Sequence, residues 1–102
     1  MNKIDHIALV VDHIQDAAEF YSEKLNMDCL YSDSTWALLR NEHLKIALVL
    51  EDSHPCHIAI RCESKEQLEK KGNPNQHRDG SLYVYEVGPS GNAIEWIYYP
   101  PQ

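Results

Sequence analysis

No stretch of this sequence approaches the roughly 18 to 20 consecutive apolar residues that a membrane-spanning helix needs. Met1 to His6 meets charge at Lys3 and Asp5 before any hydrophobic region, so no secretory signal is expected. Cysteine is scarce as well. Cys29, Cys56 and Cys62 are odd in number and have no CxxC spacing, which argues against a disulfide framework and for reduced thiols packed as small residues. These absences together predict a cytoplasmic protein. Positive charge is also in short supply, with 9 Lys and Arg against 16 Asp and Glu, for a net charge of −7. A phosphate backbone or an anionic membrane surface requires a basic face, so neither a nucleic-acid nor a membrane partner is expected. At 102 residues a separate cofactor domain or a long repeat array is not expected.

What is present suits one compact domain. A hydrophobic content of 43% can build a single modest core, and 25% charged residues are too few for a disordered acidic tail. Ile4 to Val11 is short, apolar and rich in β-branched residues, and reads as a buried strand. Asp12 with Gln15 three residues on makes a capping-box pattern, and Ile14, Ala17, Ala18, Tyr21 and Leu25 follow at helical spacing. Asn26 sits where a left-handed residue would end that helix. Strand-like stretches follow at Met27 to Tyr31, Trp36 to Arg40 and Leu44 to Leu50, giving the order β-α-β-β-β.

The pattern then begins again. His57-Ile58-Ala59-Ile60 echoes His6-Ile7-Ala8-Leu9, and Lys45-Ile46-Ala47-Leu48 echoes Ala93-Ile94-Glu95-Trp96. Ser64 with Gln67 makes a second capping box and Gly72 a stop, while Leu68 is the one large apolar residue of this second helix. Asn73 to Gly80 is rich in turn formers and leaves room for a short strand at most. Leu82 to Val87 and Asn92 to Tyr99 then form a hairpin around Gly88-Pro89-Ser90-Gly91. The chain is an internal repeat of two units, each about half its length.

Strand side chains alternate between faces. Ile7, Leu9 and Val11 therefore face the helix, and His6, Ala8 and Val10 face the other way; likewise Glu95 opposes Ile94, Trp96 and Tyr98. If the two units are related by an approximate twofold axis, the repeat-equivalent His6 and His57 converge on one concave face with Glu95 nearby. Two neutral imidazoles and one carboxylate make a facial triad that leaves open positions on a divalent ion. A competing reading pairs Glu95 with Arg61 or Lys45 as a buried ion pair. His13, His43 and His54, at a helix start or in loops, are expected at the surface.

These residues resemble the vicinal oxygen chelate superfamily, which includes glyoxalase I, methylmalonyl-CoA epimerase, fosfomycin-resistance thiol transferases, bleomycin-binding proteins and type I extradiol dioxygenases. The resemblance covers essentially the whole chain. It rests on Asp5-His6-Ile7-Ala8, on Phe20-Tyr21 with Leu25-Asn26-Met27, on His57-Ile58-Ala59, and on Gly88-Pro89-Ser90-Gly91 leading to Glu95. It implies an α+β fold in which two βαβββ modules pair around a concave mixed-sheet cleft, within a single domain spanning 1–102. The modules would run over about 1–52 and about 53–102. It also implies that His6, His57 and Glu95 ligate a divalent metal.

Departures from the family pattern narrow the choice. Glyoxalase I and the epimerase carry a fourth protein ligand on the strand where this chain has Ala47, and a methyl group can neither coordinate nor act as a base. The thiol transferases place threonine two residues after the first ligand histidine, where this chain has Ala8. Asn75-x-His77, Val84-Tyr85 and Gly88-Pro89-x-Gly91-x-x-x-Glu95 instead resemble the extradiol dioxygenase signature, with a mismatch at Gly88. The resemblance implies His77 as a catalytic acid/base and Tyr85 as a hydrogen-bond donor to a substrate oxygen. An imidazole titrates near neutrality and a phenol can donate to a developing oxyanion, so both types suit those roles. As simpler alternatives, Tyr85 is a packing aromatic and His77 a solvated loop residue.

The expected function is that of a small metal-dependent enzyme, most like the extradiol type, acting on a small molecule chelated through vicinal oxygens. Fe(II) is the favoured ion, with Mn(II), Ni(II) or Zn(II) as alternatives, because availability and geometry decide metal selectivity. A glyoxalase-like or thiol-transferase enzyme is the alternative within the superfamily. A non-catalytic binding or resistance protein is the alternative outside enzymes, with Trp36, Tyr83, Tyr85 and Tyr99 as stacking surfaces. Open sheet edges and the resemblance both imply a homodimer.

Overall fold

The two halves of the chain build one sheet. The computed structural model describes residues 3–101. The first half forms β1 (Lys3–Val10), α1 (Ile14–Lys24), β2 (Asp28–Ser32), β3 (Trp36–Arg40) and β4 (Lys45–Val49). The second forms β5 (His57–Arg61), α2 (Lys65–Glu69), β6 (Asn75–Gln76), β7 (Leu82–Val87), a 3₁₀ turn at Pro89–Gly91 and β8 (Ala93–Tyr98). Eight strands run in the order β2-β3-β4-β1-β5-β8-β7-β6, an α+β arrangement with β1 and β5 side by side at the centre. β1 is parallel to β4, β5 is parallel to β8, and the central pair is antiparallel.

The repeat seen in the sequence is also a repeat of register. Ala8 pairs with Ala47 in the first half, and Ala59 pairs with Glu95 in the second. Glu95 therefore occupies the place that Ala47 holds in the other half. Leu9 and Val11 pack with Ile14, Ala17, Ala18 and Tyr21 of the first helix segment and with Met27, Ala37, Leu39, Ile46 and Leu48. On the opposite face Ala8, Val10, Leu38, Ala47 and Val49 form a separate cluster. The period-2 pattern placed both sets correctly.

Helix details depart from the expectation at three points. Asp12 does not cap α1; His13 is the N-cap, with no side-chain capping bond. The ladder runs on to Val11, whose amide donates to the Val49 carbonyl at 2.9 Å, and the chain is still extended at His13, so the helix starts one residue later than the capping pattern allows. Leu25, read as part of the apolar helix face, is largely exposed, because the helix ends at Lys24 and Asn26 turns the chain with φ 52°. In α2 the Ser64 hydroxyl accepts from the Gln67 amide as expected, but Gln67 Oε1 accepts from the Glu63 amide rather than from Ser64.

The second helix has five residues and docks through Leu68, which is fully buried against Cys62, Leu82, Val84, Trp96 and Tyr98. The β7–β8 connection is tight. A side chain at Gly88 would put its Cβ 2.9 Å from the Asn92 carbonyl oxygen, which gives the Gly88 mismatch a steric reason. Among the described residues no helix is long and apolar enough to cross a membrane.

Candidate metal centre

The concave side of the central strands is floored with small residues. Ala8, Ala47, Ala59 and Ala93 are all buried there. Across four adjacent strands Tyr85 pairs with Glu95, Glu95 with Ala59, and Ala59 with His6. His57 pairs with Ala8, one step along the same face. The methyl of Ala59 leaves the space above it to the three longer side chains around it. Because the central pair is antiparallel, the repeat-equivalent histidines meet from opposite directions.

His6 Nε2 lies 3.3 Å from His57 Nε2, and each of these atoms lies 3.4 Å from Glu95 Oε1. The three atoms form a nearly equilateral triangle. Its depth is clear from exposure: His57 retains 6% and Glu95 2% of their accessible surface. Ligand atoms about 2.1 Å from one ion stand about 3.0 Å apart at octahedral angles and about 3.4 Å apart at tetrahedral ones. The donor triangle therefore fits a first-row divalent ion, and the mix of imidazole and carboxylate suits Fe, Mn, Ni or Zn.

The far side of each donor is also engaged. His57 Nδ1 donates to the Pro55 carbonyl at 2.8 Å, and His6 Nδ1 donates to Asp5 Oδ2 at 2.8 Å. A carbonyl and a carboxylate accept only, so both Nδ1 atoms carry the proton and, in the neutral rings, both Nε2 atoms carry lone pairs. Glu95 Oε2 accepts from His77 Nε2 at 2.7 Å. Such outer partners are what fix metal ligands in place.

Electrostatics follow the same geometry. Burial pushes the Glu95 carboxyl up, but His57, His6 and His77 outweigh it and hold the group well below its ordinary range. Burial pulls His6 down, but Asp5 and Glu95 overcome it and raise the imidazole to about 9. Tyr85 is pushed well above its ordinary value by burial, by Glu95 and by Tyr83, so it is a neutral phenol and a donor at any ordinary pH.

Tyr85 packs edge-on to the His57 ring at 5.3 Å between centroids, beside the triangle. His77 is brought to the site through Glu95 and stacks on Tyr83 at 3.8 Å, which removes it from the solvated loop of the simpler alternative. Glu95 does not pair with Arg61 or Lys45: its partners are histidines, and Arg61 lies over the Tyr99 ring at 4.5 Å. His13, His43 and His54 are exposed, as expected. What the sequence did not reveal is that His54 stands beside Tyr85. Its Nδ1 lies 3.4 Å from the Tyr85 hydroxyl and its ring 6.4 Å from that of His57. Burial, and the neighbouring His57, lower its pKa. Its place three residues before a strand-start histidine was the available signal.

The chain belongs to the Glyoxalase/Bleomycin resistance protein/Dioxygenase superfamily, whose family model matches residues 3–101. Among curated proteins none matches the sequence. Among solved structures, a hypothetical protein of Bacillus halodurans C-125 superposes with a TM-score of 0.76 at 22% identity, over 99% of this chain and 96% of its own. The Mn(II)-bound glyoxalase of Novosphingobium aromaticivorans superposes at 0.70 with 23% identity, over 94% of this chain and 37% of its own. The 2,3-dioxygenase LapB of Pseudomonas sp. KL28 superposes at 0.69 with 22% identity, over 98% of this chain and 44% of its own. At these identities the likeness is one of fold, and the chain matches less than half of each of the two enzymes.

Proposed function

We propose that this chain is a divalent-metal enzyme in which His6, His57 and Glu95 hold the ion and a small molecule with two adjacent oxygens is the substrate. One observation carries the reading: two imidazole Nε2 atoms and a carboxylate oxygen converge within 3.4 Å, largely away from solvent, with both Nδ1 protons committed outward. Acceptor atoms do not gather at that distance without a cation or a proton between them. When bound, such an ion supplies a Lewis-acid template for two substrate oxygens and, if it is Fe(II), a redox centre.

The chain's own residues supply the rest. Tyr85, a neutral phenol beside His57, donates to a substrate oxygen that gains negative charge. His54, with its pKa lowered, is a neutral imidazole within reach of the Tyr85 hydroxyl and helps to orient it. His77 keeps Glu95 turned so that one oxygen faces the two histidines. The same face carries aromatic rings toward the β2–β3 edge. Tyr31 pairs with Leu38 and Trp36 with Val49, which puts both rings on the concave face, stacked at 4.9 Å. Their exposure, 44% and 38%, leaves planar surface for a ring-bearing substrate.

Aromatic walls and a three-donor set favour catechol-like substrates of the extradiol type over glyoxalase chemistry, since Ala47 provides no fourth donor. The test is metal content after anaerobic purification and after reconstitution with Fe(II), Mn(II), Ni(II) or Zn(II), followed by oxygen uptake with catechols. Stoichiometric binding lost in His57→Ala and Glu95→Ala is expected. Failure to bind any of the four ions would sink the reading.

A further inference from the structure

We propose that Asp5, itself held by Tyr99, is the positioning carboxylate of this centre, fixing the His6 ring so that Nε2 meets His57 and Glu95. The proposal rests on the reading of His6 as a metal ligand.

A break in the strand makes it possible. Between β1 and β5 the register passes from Ile4 opposite Ile60 to His6 opposite Ala59, so Asp5 is the extra residue of a β-bulge. In a regular strand neighbouring side chains point to opposite faces, and Asp5 would be carried away from the His6 ring. A bulge re-aims side chains, and here Asp5 Oδ2 comes to 2.8 Å from His6 Nδ1. The same oxygen accepts from the Tyr99 hydroxyl at 2.8 Å. The Arg61 guanidinium lies over the face of the Tyr99 ring at 4.5 Å and helps to hold it. Asp5 keeps only 7% of its side-chain surface, so water competes little for the carboxylate.

The internal repeat shows that this support is particular to one histidine. His6 corresponds to His57, so Asp5 corresponds to Cys56. His57 therefore has no carboxylate at its Nδ1, which leans on the backbone carbonyl of Pro55. Hydrogen bonds to an ionised partner are roughly twice as strong as those between neutral groups. The two imidazoles are thus unequal ligands: His6 is gripped by a full charge and His57 by a dipole. Asp5 also brings a second carboxylate to the outer side of a site that already has Glu95, so two negative charges would offset a divalent ion held there.

The test uses the full chain stripped of metal, with Zn(II) affinity read by competition against a chromophoric chelator and thermal unfolding of the metal-free form as a control. Asp5→Asn keeps the size and removes the charge, and is expected to weaken Zn(II) about 10- to 100-fold. Tyr99→Phe leaves Asp5 in place and is expected to weaken it by about tenfold or less. Cys56→Ala, at the equivalent position of the other half, should leave affinity within about twofold. The visible absorption of the Co(II)-loaded protein should shift in Asp5→Asn, which a mere loss of stability would not produce. If Asp5→Asn does not fold, Tyr99→Phe carries the test. Parental Zn(II) affinity and an unchanged Co(II) spectrum in both variants overturn the proposal. A parent protein that binds no Zn(II) overturns instead the metal centre on which it rests.

Discussion

His77 donates from Nε2 to Glu95 Oε2 at 2.7 Å, while its ring lies flat on Tyr83. The other oxygen, Oε1, is the one that faces His6 and His57. One imidazole therefore decides which oxygen of the carboxylate is turned inward. His77→Ala is expected to weaken metal binding about tenfold by freeing Glu95 to rotate, and His77→Gln to restore part of the loss. Metal titration checks this. If His77 is a proton carrier alone, turnover will fall with metal affinity unchanged.

The metal-free protein should lose stability in alkali. His6 is raised from 6.5 to about 9, so its contribution is complete below pH 6.5 and lost as pH climbs to about 9. Glu95 is depressed below 4.5, so its contribution is complete above that pH and lost in acid. The two shifts describe largely the same contact and are not added. A shift from 6.5 to about 9 corresponds to roughly 3 kcal/mol at most. Urea unfolding of the metal-free protein should show a midpoint distinctly lower at pH 9.5 than at pH 6. Saturating metal should abolish the difference, because an ion and a proton compete for the same nitrogen. Equal midpoints without metal would count against this electrostatic picture.

Leu68 is the single large side chain by which α2 joins the sheet, and it is fully buried. Leu68→Ala removes that contact and leaves a cavity between Cys62, Val84 and Trp96, at a cost of about 2 to 5 kcal/mol. The equilibrium unfolding free energy in urea measures it. Phe20→Ala should cost far less, about 1 kcal/mol or below, because Phe20 is half exposed on the outer face of α1.

Much of the architecture could be read from the sequence because it depends on alternation and repetition. The His6/His57 and Ala47/Glu95 correspondences reappear as equivalent register positions, with His6 opposite Ala59 and His57 opposite Ala8, Ala47 opposite Ala8 and Glu95 opposite Ala59, and the faces of β1 and β8 follow from period 2. The hairpin at Gly88–Gly91 was equally legible, since proline and glycine state their backbone needs locally. Other features depend on tertiary contact. The bulge at Asp5 has no residue signature, and the Tyr99 hydroxyl that bonds Asp5 comes from the far end of the chain. His54 resembles any loop histidine until β7 brings the Tyr85 hydroxyl beside it. The start of α1 failed for a similar reason: a strand ladder to Val49 overrode a local capping pattern at Asp12.

The register also predicts how the centre could be completed. Ala47 is buried on the concave face and stands to Ala8 as Glu95 stands to Ala59. The equivalence of the two halves that relates His6 to His57 therefore gives position 47 the place that Glu95 has in the other half. A carboxylate at 47 would approach the donor triangle from the side that has only a methyl group. Adding a charged oxygen ligand tightens cation binding, so Ala47→Glu is expected to lower the Kd for Zn(II) or Mn(II) on the order of tenfold. It should also occupy a position that substrate oxygens need, so catechol-dependent oxygen uptake should fall as metal affinity rises. Metal titration and activity on the same preparation separate the two effects. The metal-free variant should be less stable than the parent, because without a cation two buried carboxylates face each other. A variant with unchanged metal affinity would mean that the two halves are not equivalent at this position, despite their shared register.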